Sequence, residues 1–259
     1  MTPEQRRQQI VGHVRAGGKA SVEQLADDLG SSRETIRRDL GVLDSQGLLR
    51  KVHGGAVTLE PGLFASGRED PFHARMGRNV AAKRAIARAA SALFCPGDSL
   101  LIDTGTTTLI LAEELAQCRG LTVITNSAAI AALAAKGEDS SVFLLGGAFR
   151  RGGQECVGEL VLEQIRQFRV THAVLTVGAV GRDGYMDYDL QEAQVARAMA
   201  RQAADVTVLA DAAKMEQRAT FQVGPLGLAR RLVSDAVPAA LAAALREAGV
   251  ALVLSTGTR

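Results

Sequence analysis

Two sets of residues in this chain have the types and spacing to bind something. The first is basic: Arg33, Arg37 and Arg38 stand among Ser32, Glu34 and Thr35, and Arg50, Lys51 and His53 come just before Gly54-Gly55. Guanidinium groups on one helical face reach guanine edges or phosphate oxygens in a major groove, and a basic hairpin beside them touches the phosphate backbone. The second set is rich in hydroxyls. Asp103-Thr-Gly-Thr-Thr-Thr108 follows the apolar run Leu100-Leu-Ile102, which puts Gly105, Thr106 and Thr107 at the entry to a helix, where amides and hydroxyls hold phosphate. Asp103, an acceptor only when ionised, would repel a phosphate and suits a sugar hydroxyl or the bracing of the loop. Asn126, Gly147 and Gly178 fall at the ends of later apolar runs, and Lys214 follows Asp211 as a counter-charge for an anionic ligand. Arg150 and Arg151 are a second source of positive charge. Glu192 opens a helix, where a carboxylate suits the dipole with or without a ligand.

The basic set needs two short helices and a hairpin to position it. Val22, Leu25, Ala26 and Leu29 recur at helical spacing and make one apolar stripe. Gly30 ends that helix, and Ser31 restarts the chain as an N-cap, with Glu34 placed to complete a capping box. Ile36, Leu40 and Leu43 mark the buried side of the second helix, so its exposed side centres on Glu34 and Arg38. Leu48, Leu49 and Val52 extend the small core, and Gly54-Gly55 turns a wing. The layout is a winged helix-turn-helix for double-stranded DNA, with Ser32, Arg33, Glu34, Thr35, Arg37, Arg38, Arg50, Lys51, His53 and Gly54 as its contact residues.

The hydroxyl-rich set needs a sheet. From about residue 78 onward, short apolar runs alternate with amphipathic helices, the pattern of an α/β domain with a mostly parallel sheet covered on both faces. In open α/β sheets the ligand crevice borders the carboxyl ends of the strands, where the hydroxyl-rich turn and its companions fall. Pro61-Gly62, Gly67 and Arg68-Glu-Asp-Pro71 interrupt all periodicity and read as a joint. The expected division is a reader over 1–57, a linker over 58–75 and a larger domain over 76–259.

The net charge is only +2, so DNA affinity must come from where the cations sit and not from their total. Cys95, Cys118 and Cys156 are far apart, as are the four histidines, so no metal site and no cofactor are expected. The scattered cysteines, and the lack of an apolar run long enough to span a bilayer, lead us to expect a cytoplasmic chain without a membrane partner.

Thr35-Ile-Arg-Arg-Asp-Leu40, Gly47-Leu-Leu-Arg50 and His53-Gly-Gly-Ala56 together resemble the signature of the DeoR family of bacterial transcriptional regulators. The resemblance continues through Phe72, Arg75, Lys83, Ile86 and Ala87, then Asp103-Thr-Gly-Thr-Thr107, Thr125-Asn-Ser127, Leu144-Leu-Gly-Gly147, Gly158, Gly178, Glu192, Asp211 and Lys214, spanning about residues 5 to 235. It implies a second domain similar to ribose-5-phosphate isomerase that binds a phosphorylated sugar, with Asp103, Gly105, Thr106, Thr107, Asn126, Gly147 and Lys214 as candidate contacts. Family members often carry Ser before this lysine and Phe-Gly after it, whereas Ala213-Lys214-Met215-Glu216 stands here, a change that bears on which sugar fits. The resulting expectation is a repressor of carbohydrate catabolism genes, not an enzyme, acting as a homodimer or homotetramer on operator half-sites. The alternatives are a sugar-phosphate isomerase-like enzyme and a constitutive DNA-binding protein with no small-molecule response.

Overall fold

A polar chain with one apolar residue per helical turn can bury little, so the first elements close around a few side chains. The computed structural model describes residues 2–17, 19–45, 49–52, 54–57 and 72–255. They divide into two units: Met1–Ser66 with His73–Arg75, and Gly67–Phe72 with Met76–Arg259.

In the first unit, α1 (Pro3–Gly17), β1 (Lys19–Ser21), α2 (Val22–Asp28) and α3 (Arg33–Ser45) precede a hairpin of β2 (Arg50–Val52) and β3 (Gly55–Val57). Ile10 and Val14 from α1 meet Leu25 and Leu29, Ile36, Leu40 and Leu43, and Leu49 in one core. Ser21 and Gln24 form a reciprocal capping box at the start of α2. Gly30 leaves that helix in the left-handed region at φ 57°, and the amides of Gly30 and Ser31 donate back to Asp27 and Ala26 oxygens in a Schellman arrangement. The expected cap of α3 is corrected by one residue: Ser32 Oγ accepts the Thr35 amide at 3.2 Å, while the Ser31 hydroxyl donates to Leu29 O. The Schellman bond uses the Ser31 amide to finish α2, so the next residue starts α3.

The three strands form an antiparallel sheet in the order β1-β3-β2. The two wing glycines have different tasks. Gly54 turns the chain at φ 86°, whereas Gly55 lies inside β3, where a Cβ would sit 2.3 Å from Ala20 O of β1. Val52 is 41% exposed and does not join the core as expected, because Leu49 already closes it. Leu48 and His53 lie outside the described residues.

The second unit has the alternating pattern that its sequence predicts. Past α4 (Phe72–Met76), which makes the last part of the expected linker helical and whose His73–Arg75 belong to the first unit, come α5 (Val80–Ser91), β4 (Ser99–Ile102), α6 (Thr106–Leu115), β5 (Thr122–Thr125), α7 (Ala128–Ala134) and β6 (Ser141–Leu144). A hairpin of β7 (Ala148–Arg150) and β8 (Glu155–Val157) leads to α8 (Glu159–Ile165) and β9 (Val170–Thr176). Next come β10 (Ala179–Gly181), β11 (Gly184–Asp187), α9 (Leu190–Gln202), β12 (Ala203–Leu209) and β13 (Phe221–Gly224), then β14 (Arg231–Ser234), α10 (Ala239–Glu247) and β15 (Ala251–Leu254).

Seven strands make an all-parallel sheet in the order β15-β14-β12-β9-β4-β5-β6. Strand alternation sends Leu100, Ile102 and Val174 to one face, against Ile86, Leu111 and Ile130 of α5, α6 and α7. Leu101, Ala173 and Leu175 go to the other, against Ile165, Met199 and Leu241 of α8, α9 and α10. The chain runs outward from β4 through β5 to β6, then returns to β9 on the far side of β4 and runs outward the other way. The fork between β4 and β9 is therefore the topological switch point, where open α/β sheets place ligands.

Candidate DNA-contact face and ligand cleft

On α3 the burial pattern separates two faces. Ile36, Leu40 and Leu43 are buried, while Ser32, Arg33, Glu34, Arg37 and Arg38 are exposed and Thr35 is half-buried. Arg33 and Arg37 make only loose pairs, at 3.6 Å to Glu23 and 3.8 Å to Glu34. Lys51 is exposed on β2, its amide tied to Asp44 at 3.0 Å, and the Gly54 carbonyl accepts the Val22 amide, which fastens the wing to α2. Arg50 pairs with Val57 through its backbone, while its side chain, like His53, lies outside the described residues.

Sequence reasoning missed what holds this face in place. Asp39, next to Arg38 but turned inward and 2% exposed, accepts from Arg6 Nε at 2.6 Å and from Arg7 Nε at 2.9 Å, clamping α1 to the back of α3. Burial alone would raise this carboxyl, but the two guanidinium groups outweigh it and hold the group below its ordinary value. Two of the chain's early cations thus serve the fold. A buried acid beside two exposed arginines was the available signal, but it gains meaning only from partners more than thirty residues away.

In the second unit the switch point is closed by a side chain. Asp103 Oδ2 accepts the Thr176 amide at 2.8 Å and Oδ1 accepts the Thr176 hydroxyl at 3.2 Å, so Asp103 bridges the ends of β4 and β9 and braces the loop. Gly105 is required here, because a Cβ would come within 2.1 Å of Thr176 Oγ1. Asp103 is raised well above the ordinary carboxylate value, first by burial and further by Asp187 and Glu155, against the Thr176 hydrogen bonds.

A small cleft opens at this fork. Asp103, Asn126 and Glu192, all expected site residues, line it with Thr104, Glu155, Thr176 and Asp187. Thr104 donates to Asn126 Oδ1 at 3.1 Å, and Asn126 Nδ2 in turn donates to Glu155 at 3.3 Å and to Cys156 O at 2.9 Å. Arg150 of β7 is ion-paired with Glu155, Asp189 and Glu192. Of the expected second source of positive charge, Arg150 is therefore already neutralised by three carboxylates, while Arg151 is exposed. Glu155 is raised, by burial first, with Arg150 opposing. Glu155 and Asp187 were not anticipated, since an acid in a short polar strand looks like a solvated residue until the hairpin folds it inward.

The remaining expected residues do not line the cleft. Thr106 and Thr107 are buried in the first turn of α6, whose N-cap Gly105 supplies no side-chain cap. Gly147 lies past β6, where a Cβ would meet Val157 O at 2.8 Å, and Gly178 past β9, where one would meet the Tyr188 ring at 2.7 Å. Lys214 ends a single 3-10 turn, Ala212–Lys214, after β12, whose N-cap Asp211 also accepts from Asn79 at 3.2 Å. Among the described residues no cluster of three potential ligands could hold a metal, and no helix is long and apolar enough to cross a membrane.

The sequence matches the family model of the DeoR-like helix-turn-helix domain over residues 6–61 and that of the DeoR C terminal sensor domain over residues 78–236. It is 32% identical to a glycerol-3-phosphate regulon repressor of Haemophilus influenzae, over 97% of each chain, and 30% identical to that of Escherichia coli K12, over 92% of this chain and 93% of the other. It is 29% identical to the transcriptional repressor CsqR of Escherichia coli K12, over 98% of this chain and 96% of the other. Among solved structures, ribose 5-phosphate isomerase A of Methanocaldococcus jannaschii aligns with 17% identity and a TM-score of 0.39, over 53% of this chain and 55% of that one, a likeness too partial to carry function.

Proposed function

Because the chain belongs to the DeoR family of transcriptional regulators, we propose that it represses carbohydrate catabolism genes by binding double-stranded operator DNA, with an affinity set by a phosphorylated sugar. The observation that carries the DNA half is the exposed row Arg33, Arg37 and Arg38 on α3, the first two only loosely paired, with Lys51 on the wing of the same unit. Cations so placed keep their hydration until a phosphate or a guanine edge replaces it, so binding them costs little.

The effector half rests on the α6 entry. An N-terminus without a side-chain cap leaves first-turn amides for an anion, and Thr106 and Thr107 add hydroxyls there. The carboxylates of the adjoining cleft repel phosphate and suit sugar hydroxyls, which orients the ligand with its phosphate toward α6 and its polyol toward Asp103. Lys214, at the carboxyl edge of the same sheet, adds the counter-charge. With a DNA reader in the same chain the cleft serves recognition and not turnover. The chain acts in the cytoplasm as a symmetric homodimer or homotetramer, with 1–57 as reader and 76–259 as sensor.

Fluorescence anisotropy on the DNA flanking its own gene, with and without a panel of sugar and polyol phosphates, tests both halves. No rise in anisotropy with any segment would remove the first half. A response to none of the phosphates would remove the second.

A further inference from the structure

The clamp between α1 and α3 holds more positive charge than docking requires. Asp39 Oδ2 accepts from Arg6 Nε at 2.6 Å and Oδ1 from Arg7 Nε at 2.9 Å, so one carboxylate is divided between two guanidinium groups. An arginine that serves only to hold a carboxylate does so best in a forked pair, with two parallel N–H bonds from one guanidinium to both oxygens. Here each group gives its Nε alone, and among the described residues neither guanidinium makes a further hydrogen bond or ion pair. Their Nη donors have no protein acceptor. At Arg150 one guanidinium meets three carboxylates; at Asp39 the proportion is reversed, and the cluster keeps a net positive charge.

We propose that Arg6 and Arg7 form a second phosphate-binding point, through which α1 grips the sugar-phosphate backbone of the duplex that α3 reads. Position selects that ligand. At about 100° per residue, Thr35 falls between Arg38 and Asp39 around α3 and one turn ahead of Asp39 along it. The carboxylate that holds the pair therefore borders the exposed arginine face, on the side of Thr35 in the first turn, the end of a recognition helix that enters a major groove. Both side chains keep some exposure, 15% for Arg6 and 30% for Arg7, and it is their Nε edges that are turned to Asp39. A phosphate oxygen against the Nη edges would complete an alternation of anion, cation and anion that relieves the repulsion between the two guanidinium groups.

Arg33 and Arg37 must be ordered when DNA arrives, whereas Arg6 and Arg7 are already fixed by the fold and lose little freedom on meeting a phosphate. Fixed backbone contacts set register, and the α3 side chains then read bases from it. This division of labour rests on the DNA-binding half of the function proposed above.

The salt dependence of binding tests it, followed by anisotropy on the full chain with a duplex of arbitrary sequence, since a backbone contact is blind to sequence. R6Q and R7Q each leave the other arginine on Asp39, so α1 stays docked, and each is expected to lower the slope of log affinity against log salt by about 0.9. A purely structural pair would shift the melt and leave the slope, so unchanged slopes overturn the proposal. If the variants fail to fold, phenylglyoxal modification of the wild type, mapped by mass spectrometry, decides: protection of Arg7 by the duplex supports the contact, and equal modification with and without DNA overturns it. A wild type that binds no duplex even at low salt ends the DNA-binding reading together with the proposal; a wild type that binds while both variants keep its full slope ends the role of α1 alone.

Discussion

The α3 face and the cleft at the β4–β9 fork treat charge in opposite ways. On α3, the Arg33 and Arg37 side chains are 64% and 59% exposed and loosely paired; in the cleft, Asp103 and Glu155 are 7% and 2% exposed and tightly held. An exposed cation attracts any phosphate nearby, and salt weakens that attraction. A buried carboxylate has already lost its water, so its energy depends on the partners fixed around it. Under the function proposed above, the first region meets a long polyanion from solution and the second judges the hydrogen-bonding pattern of something small.

The contrast is tested most severely at Arg150. Removing it in R150A leaves Glu155 buried beside other carboxylates, and about 3–5 kcal/mol of stability should disappear from the second unit, read as a shifted urea midpoint. A loss well under that would mean that water reaches the cluster and that the cleft resembles the α3 face after all. G55A tests the first unit by packing and not by charge. With its Cβ driven toward Ala20 O, which belongs to a paired strand and cannot yield, it should cost about 1–3 kcal/mol in a thermal melt of the full chain.

Effects on DNA are next in size. R38A should weaken operator binding by about 1–3 kcal/mol with base preference relaxed at one position, whereas K51A should weaken all sequences alike and lower the salt slope by about one unit. Neither should unsettle the melt, as both side chains lie outside the core. K214A should leave operator binding intact and abolish the response to an effector, seen as an anisotropy titration that no sugar phosphate displaces.

Acid gives the smallest effect and the clearest sign. Asp39, held below its ordinary value, stabilises the first unit above about pH 4, and that stabilisation is lost as pH falls through its folded value. Asp103, held above it, works against the second unit at neutral pH, and this penalty is relieved as pH falls through its raised value. Melts followed separately in the two units should therefore move apart on acidification, and D39N and D103N should each remove one of the two trends.

What the sequence made legible were features with short-range periodicity. The parallel strands announce themselves as apolar runs because both faces of the sheet are covered, and α2 and α3 as stripes broken by Gly30. The β7–β8 hairpin and the β10-β11-β13 sheet escaped notice, since strands of three or four residues such as Glu155-Cys-Val157 carry too few positions to show alternation. α1 was equally hidden, because among the described side chains of this mostly polar helix Ile10 and Val14 are buried in the core and Val11 packs partly against it, too few to show a stripe. In the cleft, Asp103 and Asn126 were visible as polar residues at strand ends. Glu155 and the neutralisation of Arg150 depend on contacts between separate elements, which no local spacing encodes.

Between β4 and β9 the main-chain ladder gives way, after the Asp103 amide reaches Val174 O, to a carboxylate that takes the Thr176 amide. A main-chain partner at that position could not be withdrawn without unzipping neighbouring pairs. A side chain can trade one donor for another by a torsional step, so the fork can exchange its internal hydrogen bond for one to an incoming hydroxyl while all seven strands stay in register.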